Sequence, residues 1–394
     1  MPDVNRFVYI PLTEERRFLV FAMEAESGKL ALKHDLNLPA QPWQLCISPD
    51  QRCLYQQVRD DGYSGVLTFR IDPETGDVVQ IGEVEMESDA CYVSTDKTGR
   101  FLFAAYLFPG MVTVHRIDSG GVARGPAVDR QLTDLYAHYI TTDNSNRFAF
   151  VPHVAPTDAI YRFRFDETTG RLTPCDPPKL DTPTGHGPRH LAYHPTLDIV
   201  YANAEQASHV TVCRLDPTDG ALEPIQSLST LPEEGFDGIN STATVRVHPS
   251  GKAVYVSNRG HDSVAAFTAD PITGLLTPAG HSPTKECPRA FGLDPDGRFL
   301  YAGSDHSGRV TSHRIDANGV LHSLDIYELG MWPSWVLPVN FHRRPRGGER
   351  FETHPDSHLE VTVQTSREQH PNKVLHFVCE SRESTGLGVS SHQL

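Results

Sequence analysis

Two arginines, a histidine and a tryptophan recur at one register of a repeating sequence. Five residues before each recurrent turn-opening residue stand Trp43, Cys91, His138, Arg189, Ala243 and Arg289, with Ser334 at the seventh place. A second register lies four residues after the aromatic that closes the same segment: Thr13, Arg59, Leu107, Val154, Glu205, Arg259 and Asp305. Arginine is the side chain that grips a carboxylate or phosphate with two prongs. A carboxylate among arginines suits acid–base work on a bound ester, and the arginines suit stabilisation of a developing oxyanion. Histidine, with an ordinary pKa of about 6.5, moves protons at neutral pH. The candidate site residues are therefore His138, Arg189, Glu205, Arg259, Arg289, Trp43, Asp305 and Arg59. A blander reading stays open, in which Arg189, Arg259 and Arg289 pair with Glu205 and Asp305 to line a wet channel, and Trp43 simply packs.

These registers mean something only if the repeat is real. One unit, a strand starter followed by residues like Pro-Asp-Gly-Arg-Phe-Leu-Tyr, recurs at Ser48–Tyr55, Asp96–Phe103, Asp143–Phe150, His194–Tyr201, His248–Tyr255 and Asp294–Tyr301. Each copy is followed by an alternating strand and an Asp-x-x-x-Gly-like turn, as in Val66–Gly76 and Val210–Gly220. The turn glycines, Gly28, Gly76, Gly121, Gly170, Gly220, Gly274 and Gly319, are separated by 48, 45, 49, 50, 54 and 45 residues. Alternation of period two marks half-buried strands, and the Asp/Gly turns supply caps and positive φ. Seven units with room for about four strands each predict an all-β, seven-bladed propeller. Helical solenoids of similar period need 3.6-residue stripes, and none is present.

Closure is legible too. The chain opens on Phe7-Val8-Tyr9-Ile10, a second strand without its predecessor, and the repeat ends on Pro333–Leu337, a first strand without its follower. The two fragments are expected to share one blade and close the ring. The propeller is accordingly expected over residues 1–341. Residues 342–394, rich in charge, His and Ser, read as a disordered or loosely packed tail with one candidate strand, Val374–Val378. The longest interval holds an extra loop, Thr230–Gly238, of the kind that rims sites on rigid scaffolds.

Composition limits the partners. Fifty acidic against 35 basic side chains give a net charge of −15, which repels nucleic acid and anionic headgroups. Anionic small molecules are repelled as well, unless cations are concentrated locally. No stretch approaches 20 apolar residues, so no membrane partner is expected. The first residues, Met1–Arg6, carry no apolar segment of a secretory signal. Seven scattered cysteines without a C-x-x-C read as reduced thiols, and the expected location is the cytoplasm. Neither a nucleotide-binding glycine motif, a G-x-S-x-G elbow nor an H-E-x-x-H occurs, so neither a cofactor nor a metal is expected. Nothing in the residues sets the oligomeric state; a monomer is the working expectation.

Several segments resemble one known family. They are Gly185-His186-Gly187-Pro188-Arg189-His190-Leu191 with His194-Pro195, Asn203-Ala204-Glu205, Val247-His248-Pro249-Ser250-Gly251 running to Ser257-Asn258-Arg259, Pro288-Arg289-x-Phe291, and Met331-Trp332-Pro333-Ser334-Trp335-Val336. On these the chain resembles the lactonase family of seven-bladed propellers, which includes 6-phosphogluconolactonases and muconate lactonizing enzymes. The resemblance implies a site of one His, two Arg and one Glu, matching His138, Arg189, Arg259 and Glu205, with Arg289 nearby. It departs at Thr244, where the family carries an acidic residue. Hydrolysis of a small anionic sugar-acid lactone, 6-phosphogluconolactone foremost, is the implied activity. Lactone closure on a carboxylated muconate and a non-catalytic binding propeller remain the alternatives.

Overall fold

The computed structural model describes residues 4–342; the expected tail strand Val374–Val378 and the rest of the tail lie outside the described residues. Within them the chain forms seven four-stranded antiparallel sheets and no helix. The sheets are numbered here as blades 1 to 7. Blade 2 shows the pattern, with strands Gln41–Ile47, Cys53–Asp60, Tyr63–Ile71 and Val78–Glu85 in sequence order from the channel outward. Blade 1 is composite. Its inner strand, Leu337–His342, comes from the end of the repeat and pairs antiparallel with Val4–Leu12, with Val8 opposite Pro338 and Tyr9 opposite Leu337. The ring is therefore closed by the pairing the strand fragments predict.

The repeated residues have physical jobs. At the turn into each second strand, a side chain collects the free backbone N–H groups. The Asp96 carboxylate accepts from the Arg100 and Phe101 amides at 2.8 and 2.9 Å, and Asp143 accepts from Arg147 and Phe148 at 2.9 Å each. Ser48 does the same through its hydroxyl, at 3.1 and 3.0 Å from the Arg52 and Cys53 amides. Each such cap satisfies donors that would otherwise be buried unpaired.

The closing tyrosine and the turn glycine lock neighbouring blades together. Tyr9 donates its hydroxyl to the Gly76 carbonyl at 3.1 Å, Tyr55 to Gly121 at 2.8 Å, Tyr201 to Gly274 at 2.8 Å and Tyr255 to Gly319 at 2.9 Å. Tyr301 completes the circle across the seam, donating to Gly28 at 2.6 Å. The glycines adopt positive φ, and several meet the aromatic that starts the preceding blade's second strand. A Cβ on Gly76 would lie 2.5 Å from Phe7 Cδ1, and one on Gly28 would lie 2.4 Å from Phe299 Cδ1. Buried aromatic and branched side chains fill the space between blades, as a radial architecture requires.

Candidate active site

The inner strands carry the site because they begin irregularly. In blades 2, 5, 6 and 7 the pairing of the first two strands slips by one residue, between Pro42 and Leu45, Pro188 and Leu191, Thr242 and Val245, and Pro288 and Ala290. Such bulges re-aim side chains and are common beside active sites. In a regular strand, adjacent residues face opposite sides; here adjacent residues reach the same cavity. Trp43 and Gln44, Cys91 and Tyr92, Arg189 and His190, and Ser334 and Trp335 line it in pairs, joined by His138, Thr244 and Arg289. The closed part of this cavity is small, about 10 Å³, and it draws residues from all seven blades. The symmetry-equivalent positions do converge.

Side chains of the second strands support the bulges. Asn203 Oδ1 accepts from the His190 amide at 3.0 Å, while its amide donates to Thr242 Oγ1 at 2.8 Å. Ser257 Oγ accepts from the Thr244 amide at 3.1 Å. The loop before Arg189 is held by Asp158, whose carboxylate accepts from the Gly185 and Gly187 amides at 2.8 and 2.7 Å. Gly187 has φ of 62°, and a Cβ there would lie 2.9 Å from the Ala155 nitrogen. The Gly-His-Gly-Pro-Arg-His and Asn-Ala-Glu segments are thus one device for placing Arg189 and Glu205.

At the mouth, Glu205 sits between two guanidinium groups from adjacent blades. Arg189 Nε is 3.3 Å from Oε2, and Arg259 Nη2 donates to Oε1. Arg189 also donates to the Ala243 carbonyl, and Arg259 to the Thr242 carbonyl at 3.1 Å. The Arg189 side chain is only 3% exposed, and Glu205 and Arg259 are each 15% exposed. Burial pushes the Glu205 carboxyl up, but Arg189, Arg259 and Arg289 outweigh it and hold the carboxyl below its usual range. Burial, with Arg259 and Arg289 beside it, pushes the Arg189 guanidinium down to about 9, so it stays cationic at neutral pH. Glu205 is accordingly an ionised carboxylate in a cationic niche.

Two blades away, Arg289 Nε lies 4.0 Å from Asp305 Oδ2, and the Asp305 side chain is 3% exposed. Burial pushes the Asp305 carboxyl up to about 6, with Arg289 and Arg259 pulling against it. Its Oδ1 has no hydrogen-bond partner. Arg59 and Arg289 both stack on the indole of Trp43, with guanidinium carbons 4.1 and 4.6 Å from the ring centroid. Trp332 packs against the same indole at 5.5 Å between ring centroids.

His138 is buried, with Nδ1 unpartnered. Burial, then Arg189, Arg289 and Arg259, push it far below the usual imidazole range, so it is neutral at every physiological pH. Its ring is 5.4 Å from that of His190, whose Nε2 lies 3.2 Å from Arg189 Nη1. Of the eight residues expected from the sequence, Trp43, His138, Arg189 and Arg289 line the cavity, and Arg59, Glu205, Arg259 and Asp305 reach it through contacts with these or with one another. Arg59 and Arg259 occupy strand ends, in Cys53–Asp60 and Ala253–Arg259. Thr244, where the family's acidic residue is missing, is fully buried and donates to the Arg289 backbone carbonyl at 2.9 Å.

The sequence reading missed Gln44, Tyr92, His190 and Trp335. Each directly follows a ring position, and each also varies between repeats, so the signal was present. Strict strand alternation assigned those residues to the opposite face, and for Gln44 and His190 a bulge reverses that. The added loop packs beside the site: Phe236 meets His261 edge-on at 5.1 Å, and Asn240 Oδ1 accepts from the His261 amide at 3.1 Å, next to Arg259.

Comparison with known proteins identifies the family of this propeller. The family model described as "Lactonase, 7-bladed beta-propeller" matches residues 10–338. A 6-phosphogluconolactonase of Pectobacterium carotovorum is 32% identical over 335 residues, covering 84% of this chain and 98% of its own. One from Klebsiella pneumoniae is 31% identical over 340 residues, covering 86% and 100%. Among solved structures, the periplasmic gluconolactonase of Pseudomonas aeruginosa superposes with a TM-score of 0.78 at 24% identity, covering 86% of this chain and 99% of that one. A protein of Bacteroides fragilis, described as a putative 6-phosphogluconolactonase, gives a TM-score of 0.75 at 23% identity, covering 85% and 98%. These last two establish likeness of fold. With the family match across nearly the whole propeller, the chain belongs to the lactonase family of seven-bladed β-propellers.

Proposed function

We propose that this protein hydrolyses a small anionic sugar-acid lactone, 6-phosphogluconolactone foremost, at the mouth of its central channel. One observation carries the reading: an ionised, half-enclosed carboxylate, Glu205, lies between Arg189 and Arg259 with further cations around it. The names carried by relatives at 31–32% identity support the substrate.

Glu205 takes a proton from water as the water oxygen attacks the lactone carbonyl carbon. The carbonyl oxygen becomes an oxyanion, which the neighbouring guanidinium groups stabilise in a site largely closed to bulk solvent. Collapse of the tetrahedral intermediate breaks the ring C–O bond, and Glu205 returns its proton to the departing alkoxide. One water is consumed, and the product is an open hydroxy acid, with no redox step. His138 is held neutral, so it acts as a hydrogen-bonding partner for substrate rather than as an imidazolium acid. We also propose a cytoplasmic location, which the scattered cysteines support; the six described ones are unpaired thiols.

The test is direct. Purified protein should accelerate loss of freshly generated 6-phosphogluconolactone above its spontaneous rate, followed by trapping residual lactone as its hydroxamate. A rate equal to that of buffer would overturn the assignment.

A further inference from the structure

The cations of the mouth fall into two groups by what they touch. Arg189 of blade 5 and Arg259 of blade 6 share one carboxylate, Glu205. Arg59 of blade 2 and Arg289 of blade 7 share something different, the indole of Trp43. Among the described residues, no carboxylate lies within 4 Å of Arg59, because its neighbour Asp60 is taken by Arg16 at 3.0 Å. Arg289 reaches only as far as Asp305, at 4.0 Å, too long for a hydrogen bond. Among the described residues, neither the Arg59 nor the Arg289 guanidinium has a hydrogen-bond acceptor, although each carries five N–H groups. Two unspent forks on one indole, in a protein of net charge −15, need an explanation.

Stacking on Trp43 supplies the geometry. Both guanidinium carbons lie within 4.6 Å of one ring centroid, so a single indole fixes where both forks sit. The indole is itself buried and packed against Trp332, so it holds the two forks in place before any ligand arrives. Stacked guanidinium groups keep their edge N–H donors free for oxygen acceptors.

We infer that Arg59 and Arg289, stacked on Trp43, form a phosphate clamp that grips the dianionic end of the substrate while Glu205, Arg189 and Arg259 address the ester. The inference rests on the lactonase reading for its substrate, and it deepens that reading by fixing the substrate's orientation across the channel. The phosphate points toward blades 7 and 2, and the scissile carbonyl toward blades 5 and 6. A carboxylate in place of the phosphate presents fewer acceptor oxygens and half the charge, and the clamp discriminates against it.

Binding of the stable product tests the clamp independently of turnover. Calorimetric titration of the full-length protein with 6-phosphogluconate, glucarate and gluconate should give affinities falling in that order, with at least about a tenfold gap between the first and the last. Arg59→Gln should shrink the ratio of 6-phosphogluconate to gluconate affinity about tenfold or more, and Arg59→Lys should restore part of it. In kinetics, the Arg59→Gln loss should appear chiefly in KM for the phosphorylated lactone rather than in kcat. Equal wild-type affinity for the three acids, or an Arg59→Gln variant that weakens all of them alike, overturns the clamp. If wild-type protein turns over lactones without phosphate selectivity, only the clamp fails. If it binds selectively without accelerating hydrolysis, only the lactonase reading fails.

Discussion

Arg189 and Glu205 belong to the same blade and meet at its channel edge, with Arg189 Nε 3.3 Å from Glu205 Oε2. The contact is an ion pair without the alignment of a hydrogen bond, so the Glu205 carboxylate keeps acceptor capacity for water while remaining charged. A base that is ionised yet not fully engaged is what attack on an ester needs.

Replacing Glu205 by Gln keeps the shape and removes the base. Steady-state hydrolysis of 6-phosphogluconolactone should then fall roughly 100- to 10,000-fold in kcat. The melting temperature should also drop, because Arg189 loses its counter-charge while remaining buried. Turnover within about threefold of wild type would remove Glu205 from the chemistry.

The pH profile separates Glu205 from His138. Arginines hold the Glu205 carboxyl below its usual range, so the base is ionised at neutrality and stays so to a lower pH than an ordinary glutamate does. Burial and the same arginines push His138 far down, so it contributes no titration near its ordinary value. The acid limb of kcat/KM on an unphosphorylated lactone should therefore lie below about pH 4.5, with no inflection near 6.5 assignable to His138. A His138→Asn variant that loses a limb near 6.5 present in the wild type would falsify this assignment.

Asp305 makes the fold itself pH-sensitive. Burial raises its carboxyl from 3.8 to about 6, so the folded state holds this proton more tightly than the unfolded chain does. That contribution to stability is fully present below about pH 4 and is lost as pH rises through about 6. Asp305→Asn removes the titration. Its melting temperature relative to wild type should be higher at pH 8 than at pH 4.5, read by circular dichroism. An identical difference at both pH values would show that Asp305 is not buried against its charge.

The inter-blade lock can be tested with two glycines of nearly equal φ. Gly76 has φ of 78° and stands where a Cβ would strike Phe7 at 2.5 Å; Gly62 has φ of 77° and nothing within 4 Å. Gly62→Ala should cost only the backbone term, about 1 kcal/mol, whereas Gly76→Ala should cost at least about 2 kcal/mol more through displacement of Phe7. Equal losses in denaturant unfolding would mean that the Gly76 contact is slack.

Much of this was readable in the chain. The turn glycines count the blades because each must adopt positive φ beside an aromatic of the neighbouring unit, which ties a residue type to a fixed position in every repeat. The unpaired strand fragments at Phe7–Ile10 and Pro333–Leu337 foretold closure because a strand lacking its partner must find one. Symmetry alone then placed His138, Arg189, Glu205, Arg259 and Arg289 around one axis, since equal registers of equal repeats lie at equal heights. Only the tertiary structure decided which charges meet. That Glu205 takes two arginines, while Arg59 and Arg289 stack on Trp43 and keep their donors free, depends on distances across blades far apart in sequence. The bulges that turn Gln44 and His190 into the channel were invisible as well, because a one-residue slip in pairing leaves the order of residues unchanged and alters only which side of the strand each faces.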